Sequence, residues 1–322
     1  MIQIYKEIEK KLVREDYSSI DEINLTQGSW IHLSNPTMDE ILKLSDMSGI
    51  TKDFLLSALD EEESARVDHE DGDTLIVLDT PLMVDDESAT YTTVPFIIAY
   101  NRNYYVTICK HNVALIDELL KKVKIIEPHK HVRLTLNLIY RLATLFIIYL
   151  KKINAHTEKL ELKLRTSVKN KEVLELMDKN KSLVYFSTAL NADKGVLNKL
   201  LRSQTYKRFE NDFDLMEDTQ VEMDQASEMC SIYRDILAGM MDAFASVINN
   251  NMNIIMKTLS VVTVILALPT LVASIYGMNF DYIPLDDNPN GFWIILAVCA
   301  SLAIIGAIIL FLFGSGIRRK KK

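Results

Sequence analysis

The apolar positions of this chain concentrate in two uncharged runs near its C-terminus. The first, Thr258 to Tyr276, closes on Gly277-Met278-Asn279-Phe280; the second runs from Phe292 to Phe313. At about 1.5 Å rise per residue each run is long enough to cross about 30 Å of hydrocarbon. The pattern predicts a membrane hairpin with spans at 258–280 and 292–313, joined by a loop at 281–291.

Upstream the periodicity changes twice. No proline interrupts His129 to Leu268, and apolar residues recur at helical spacing, as at Leu134, Leu138, Leu142 and Phe146. That predicts helix throughout, with breaks near residues 168–170 and 202–209. Ile147 to Leu150 is apolar but too short for a third span, and Lys151-Lys152 follows at once, so this stretch reads as the buried face of a packed helix. The last helix is expected to run from about Asn211 to Tyr276. A helix on the order of 100 Å long is stabilised by bundling rather than alone.

Residues 1–128 carry a different pattern. Runs rich in Val, Ile, Thr and Tyr at 29–33, 65–69, 74–82, 91–100 and 104–109 predict strands, separated by Asp-Gly, Asp-Asp-Glu and Asn-Arg-Asn turns. Short helices are expected after Asn35-Pro36-Thr37 with Glu40, over 53–59 and over 112–124. The expected fold is thus an α/β domain with a mixed or antiparallel sheet at 1–128. A helical region at 129–209, a stalk helix at 210–257, the hairpin and a basic tail at 314–322 follow it.

Charge orients this layout. The 322 residues carry a net charge of −8, but the tail Arg318 to Lys322 is all basic, while the inter-span loop holds Asp281, Asp286 and Asp287 and no Lys or Arg. The positive-inside rule puts the tail, and with two spans the N-terminal region, in the cytoplasm. The N-terminus lacks the apolar core of a signal peptide. Cys109, Cys230 and Cys299 lie far apart, which fits a reducing compartment. His129 and His131, the only close histidine pair, read as part of a solvated loop after Pro128. No nucleotide-binding, hydrolase or metalloprotease motif is present. No enzyme activity, bound cofactor or nucleic-acid partner is expected.

One stripe stands out on the first span. Asn253, Met256, Ser260, Thr263, Ala267, Thr270 and Ser274 recur at spacings of 3 and 4, so they share one helix face. Mostly small or hydroxylic, that face is either a helix packing seam or the wall of a water-filled path. Three features favour the path. The stripe continues into Asn249-Asn250-Asn251, with Asp242 and Ser246 further down the same face. The span ends in Gly277-Met278-Asn279, where glycine permits crowding at an axis and asparagine supplies a neutral carbonyl. An acidic loop follows, which concentrates cations.

Tyr276-Gly277-Met278-Asn279-Phe280 closes the first of two C-terminal spans, behind a long helix with a Pro269-Thr270 step and ahead of an acidic loop and a basic tail. In this the chain resembles the CorA family of divalent-cation channels. The resemblance implies a homopentamer in the bilayer, with five first spans lining a pore and the second spans forming an outer ring against lipid. It implies Mg²⁺, with Co²⁺ or Ni²⁺, as the transported ion. By it, Gly277, Met278 and Asn279 form the outer selectivity site, and Asn253, Met256 and Leu259 an inner constriction, with Thr263, Ala267 and Thr270 between.

Seven acidic residues from Glu210 to Asp224 are either a solvated helix surface or, by the same resemblance, part of a regulatory site where intracellular Mg²⁺ bridges subunits. Asp218 matches that site by its distance from the motif; Asp79, Asp85 and Asp86 are candidate partners from the α/β domain. Two other readings stay open. One is a zinc transporter of the ZntB type, which shares the architecture. The other is a membrane-tethered cytoplasmic scaffold, which has no use for a polar stripe aligned with Gly277 to Asn279.

Overall fold

The computed structural model describes residues 1–322 apart from 9–10, 24, 167–169, 204–205, 207–211, 279–283, 286–287 and 320–322. The chain divides into two units, Met1–Met241 and Asp242–Lys322.

The first unit is built on a seven-stranded sheet. Its strands are β1 (Ile2–Ile8), β2 (Lys11–Tyr17), β3 (Ser29–Ser34), β4 (Arg66–Glu70), β5 (Asp73–Asp85), β6 (Thr90–Tyr100) and β7 (Tyr104–Cys109). They are ordered β2-β1-β3-β7-β6-β5-β4. Only β3 and β7 run parallel, so the sheet is mixed. The Asp-Gly signal between β4 and β5 is a two-residue turn, with Asp71 at φ 50° and Gly72 at φ 92°, the left-handed pair a tight hairpin requires.

Strands β1 and β2 are absent from the sequence expectation. β2 is an edge strand of half-exposed and exposed residues, LysLeuValArgGluAspTyr, and carries the charges that keep an open edge from pairing with another chain. Those charges mask its strand character.

On one face of the sheet lie α1 (Met38–Ser48) and α2 (Lys52–Leu56). There Ile41, Leu44 and Leu55 bury against Ile4, Ile31, Val77, Ile97 and Val106. The start of α1 is a reciprocal cap: the Thr37 hydroxyl accepts the Glu40 N–H at 3.3 Å and the Glu40 carboxylate accepts the Thr37 N–H at 2.7 Å. Helix α3 (Leu115–Lys122) follows β7. The long helices α4 (His131–Thr166) and α5 (Asn170–Arg202) pack against β5 and β6. Ile147, Tyr149 and Leu150 of α4 are buried in this unit, as their pattern predicts. α4 is long and apolar enough to cross a membrane, yet 67% of its apolar stretch is buried inside the fold.

His131 is not in a solvated loop. It opens α4 and packs its ring 5.2 Å from Tyr100 and 5.6 Å from Tyr105, and burial pushes its pKa down to about 4. A second buried histidine, His32 of β3, shares the Thr107 hydroxyl with Trp30: the indole N–H and His32 Nδ1 each lie 2.9 Å from Thr107 Oγ1.

α6 (Phe213–Tyr276) is one continuous helix of 64 residues that enters the second unit, and α7 (Gly291–Arg319) completes the chain. The most apolar window of α6 is 0% buried. Phe292 and Trp293 at the start of α7 are 70% and 66% exposed. Apolar surface so extensive and so unpaired has lipid as its natural solvent.

Candidate ion path and regulatory carboxylates

Within the second unit the faces of α6 divide cleanly. Val261, Ile265, Pro269, Val272 and Tyr276 are its half-buried residues from Val261 onward. They meet α7, where the Cys299 thiol lies 3.8 Å from the Pro269 carbonyl and Gly306 packs on Ile265. At about 100° per residue these positions centre on one direction. Asn253, Met256, Ser260, Thr263, Ala267, Thr270 and Ser274 centre about 180° away, and all of them are exposed. The stripe is therefore not the seam between the two spans. That seam uses larger residues on the opposite face, with Gly306 supplying the close approach. The sequence reading overlooked it, although a glycine inside an otherwise Leu/Ile/Ala run signals close packing.

Three of the four stripe hydroxyls are satisfied locally. Ser260 donates to the Met256 carbonyl at 2.9 Å, Thr263 to Leu259 at 2.9 Å and Thr270 to Leu266 at 2.8 Å. Asp242 and Leu259 are exposed as well.

The helix ends in a tightened turn: the Gly277 N–H reaches the Ala273 and Ser274 carbonyls at 3.0 and 3.2 Å, and the Met278 N–H reaches Ile275 at 3.2 Å. Gly277 has no left-handed φ, and a Cβ there meets nothing closer than 3.5 Å. Among the described residues nothing requires glycine at this position. Gly277 and Met278 are exposed, and Asn279, the third member of the expected selectivity site, lies outside the described residues, as do Glu210, Asp281, Asp286 and Asp287.

The acidic stretch at the start of α6 sorts into used and unused carboxylates. Glu222 accepts the Thr144 hydroxyl at 2.8 Å, Asp224 pairs with Lys194 at 2.6 Å and Asp212 lies 3.7 Å from Arg133. Asp214, Glu217 and Asp218 are exposed and make no ion pair among the described residues. Asp85 and Asp86 are exposed in the β5–β6 turn, where Asp85 accepts the Glu87 N–H at 3.0 Å and Asp86 pairs with Lys152 at 3.0 Å. Ser88 hydrogen bonding holds the Asp85 carboxyl below its usual range.

Asp79, the remaining candidate partner, is set differently in the fold. It is half-buried on β5, burial raises its pKa, and its backbone N–H is bound to a second, fully buried carboxyl, that of Asp193. Among the described residues no three His, Cys, Asp or Glu side chains are gathered to hold a metal ion.

A mixed-sheet unit with two long helices, followed by a helix that continues into an apolar hairpin, defines a class of membrane transporter. Residues 26–320 match the family described as CorA-like Mg²⁺ transporter protein. The chain is 32% identical over 293 residues to the cobalt/magnesium transport protein CorA of Methanocaldococcus jannaschii, covering 89% of this chain and 91% of that protein. It superposes on the complete structure of the CorA magnesium transporter from that organism with a TM-score of 0.79 at 30% identity, over 96% of both chains. The cytoplasmic domain of ZntB from Vibrio parahaemolyticus aligns with a TM-score of 0.57 at 12% identity over 78% of this chain, a likeness of fold alone. The chain belongs to the CorA-like Mg²⁺ transporter family.

Proposed function

We propose that this chain is the subunit of a homopentameric Mg²⁺ channel, with Co²⁺ as a second permeant ion, in which five α6 helices turn the 253–274 stripe toward a common axis. The observation that carries this reading is the division of α6. Its face against α7 is large and apolar, and the face diametrically opposite is small, hydroxylic and uncovered. A second copy of α6 is the partner that suits the uncovered face. Gly277 supports the same arrangement, since the described residues of its own chain give no reason for the missing side chain.

Mg²⁺ sheds its waters reluctantly. A ring of Asn279 carbonyls would accept hydrogen bonds from those waters without displacing them, and would hold the ion weakly enough to release it. A divalent charge gains about 4.6 kcal/mol per 100 mV of membrane potential, enough to drive entry without nucleotide. Intracellular Mg²⁺ would close the channel by bridging Asp218 of one subunit to Asp85 or Asp86 of the next. Its loss would leave like charges to repel. Both termini are placed in the cytoplasm.

Proteoliposomes reconstituted with Asn279→Ala test the proposal. Oligomers should assemble while Mg²⁺ uptake is lost; uptake at the unsubstituted rate would reject the assignment.

A further inference from the structure

Lys257 is the only charged residue of the chain between Asp242 and Asp281. It stands directly before the first uncharged run, is exposed, and makes no ion pair among the described residues. At about 100° per residue it shares one face of α6 with Val264, Leu268, Leu271 and Ile275, which are exposed as well. That face is centred about 90° from the α7 seam and about 90° from the small hydroxylic stripe. It belongs neither to the contact between the two spans nor to the proposed path.

The register of the two spans sets the height of Lys257. Ile265 meets Gly306 and Pro269 meets Cys299, so α6 and α7 run antiparallel. Eight residues, or about 12 Å, from the Ile265 contact, Lys257 comes level with Gly314, and α7 runs on by about one turn to Arg318 and Arg319. No acidic residue occurs from Asn288 to Lys322, and the neighbours of Lys257 toward Asp242 include the neutral Asn249, Asn250, Asn251 and Asn253. This end of the hairpin is therefore cationic with no acid of its own to balance it. At the other end Phe292 and Trp293 form the aromatic pair expected at a membrane surface. From Lys257 to Ile275 the face rises about 27 Å, close to the thickness of the hydrocarbon layer. An acyl chain of one leaflet covers about half of that, the part that carries Val264 and Leu268.

We propose that Lys257 and the apolar face beyond it bind an anionic phospholipid, with the headgroup on the ammonium and an acyl chain along Val264 and Leu268. The inference rests on the reading that the hairpin spans a bilayer. A lysine at such a boundary lays its methylene stem on apolar surface and keeps its ammonium in the headgroup layer. There its charge is balanced from outside the chain. An anionic headgroup supplies that balance, whereas a zwitterionic headgroup brings a cation of its own and supplies little.

Native mass spectrometry of the full chain in detergent, titrated with phosphatidylglycerol or with phosphatidylcholine, tests the site. Phosphatidylglycerol should bind more tightly than phosphatidylcholine. Lys257→Gln should weaken phosphatidylglycerol binding about fivefold, corresponding to roughly 1 kcal/mol for one lysine beside anionic headgroups. Lys257→Arg should keep it, and phosphatidylcholine binding should be the same in all three proteins. Equal phosphatidylglycerol affinity in the glutamine variant and the unsubstituted protein overturns the site and leaves the spanning reading standing. Binding of neither lipid overturns both. A changed subunit number in Lys257→Gln also overturns the site, since it assigns the lysine to a neighbouring subunit.

Discussion

Gly306 of α7 stands so close to Ile265 of α6 that a Cβ on the glycine would lie 2.6 Å from Ile265 Cγ1. This pair sets how closely the two membrane helices approach. Gly306→Leu should therefore force them apart and destabilise the hairpin by about 1–3 kcal/mol, the usual cost of overpacking. Ile265→Ala, added to it, should recover part of the loss. Thermal unfolding in detergent checks both; equal stability of the glycine and leucine forms would show that the contact has slack.

Gly277→Ala separates the demands of the chain from those of the assembly. The nearest atoms to a new Cβ are the Ala273 and Ser274 carbonyl oxygens at 3.5 and 3.6 Å, which is ordinary contact. The subunit should fold with its stability changed by less than about 1 kcal/mol. If Gly277 lines the proposed pore, Mg²⁺ flux should nonetheless fall at least tenfold, because the methyl group would enter its crowded axis. Unchanged flux in proteoliposomes would place Gly277 away from the path.

His32 gives the first unit an acid sensitivity. Burial first, with the N-terminal charge and Arg14 adding to it, depresses its pKa from 6.5 to about 4, against a hydrogen bond to the Thr107 main chain that acts the other way. The unfolded chain takes up the proton at higher pH than the folded one. Stability is thus intact above about pH 6.5 and declines as pH falls toward 4. His32→Gln should flatten that decline. Thr107→Val strands the Trp30 N–H and one imidazole nitrogen and should cost about 1–3 kcal/mol. Denaturant titrations at pH 5 and pH 7 distinguish the two effects.

Asp218→Asn should leave channels that conduct but no longer close at millimolar intracellular Mg²⁺. Neutralising Asp85 and Asp86 together should reproduce that behaviour if they supply the opposing ligands, whereas Asp79→Asn should not. Inhibition of current by Mg²⁺ on the intracellular side is the measurement, and inhibition that persists in the Asp218 variant rejects its regulatory role.

Much of this architecture is legible in the residues, because the signals are local. The uncharged runs, the absence of proline between His129 and Leu268, the Asp71-Gly72 turn and the Thr37–Glu40 cap each declare an element without reference to the rest of the chain. What was hidden depends on burial. The charges of β2 concealed a strand, and Asp193, in the polar sequence AsnAlaAspLys, has the pattern of a solvated helix residue although it is wholly enclosed. Asp79, a candidate cation ligand by the family resemblance, gives its backbone N–H to that same enclosed acid, a contact no sequence pattern announces.

The hydroxyl bonds along α6 have a consequence for charge selection. Ser260, Thr263 and Thr270 each commit their hydrogen to a carbonyl of their own helix. What they can show to the lumen is oxygen lone pairs alone. If the stripe lines the proposed path, these three positions offer an ion electron density and no hydrogen for an anion to grasp. The path's refusal of chloride would then be built into helix geometry, without a single carboxylate along the membrane-spanning part of the wall.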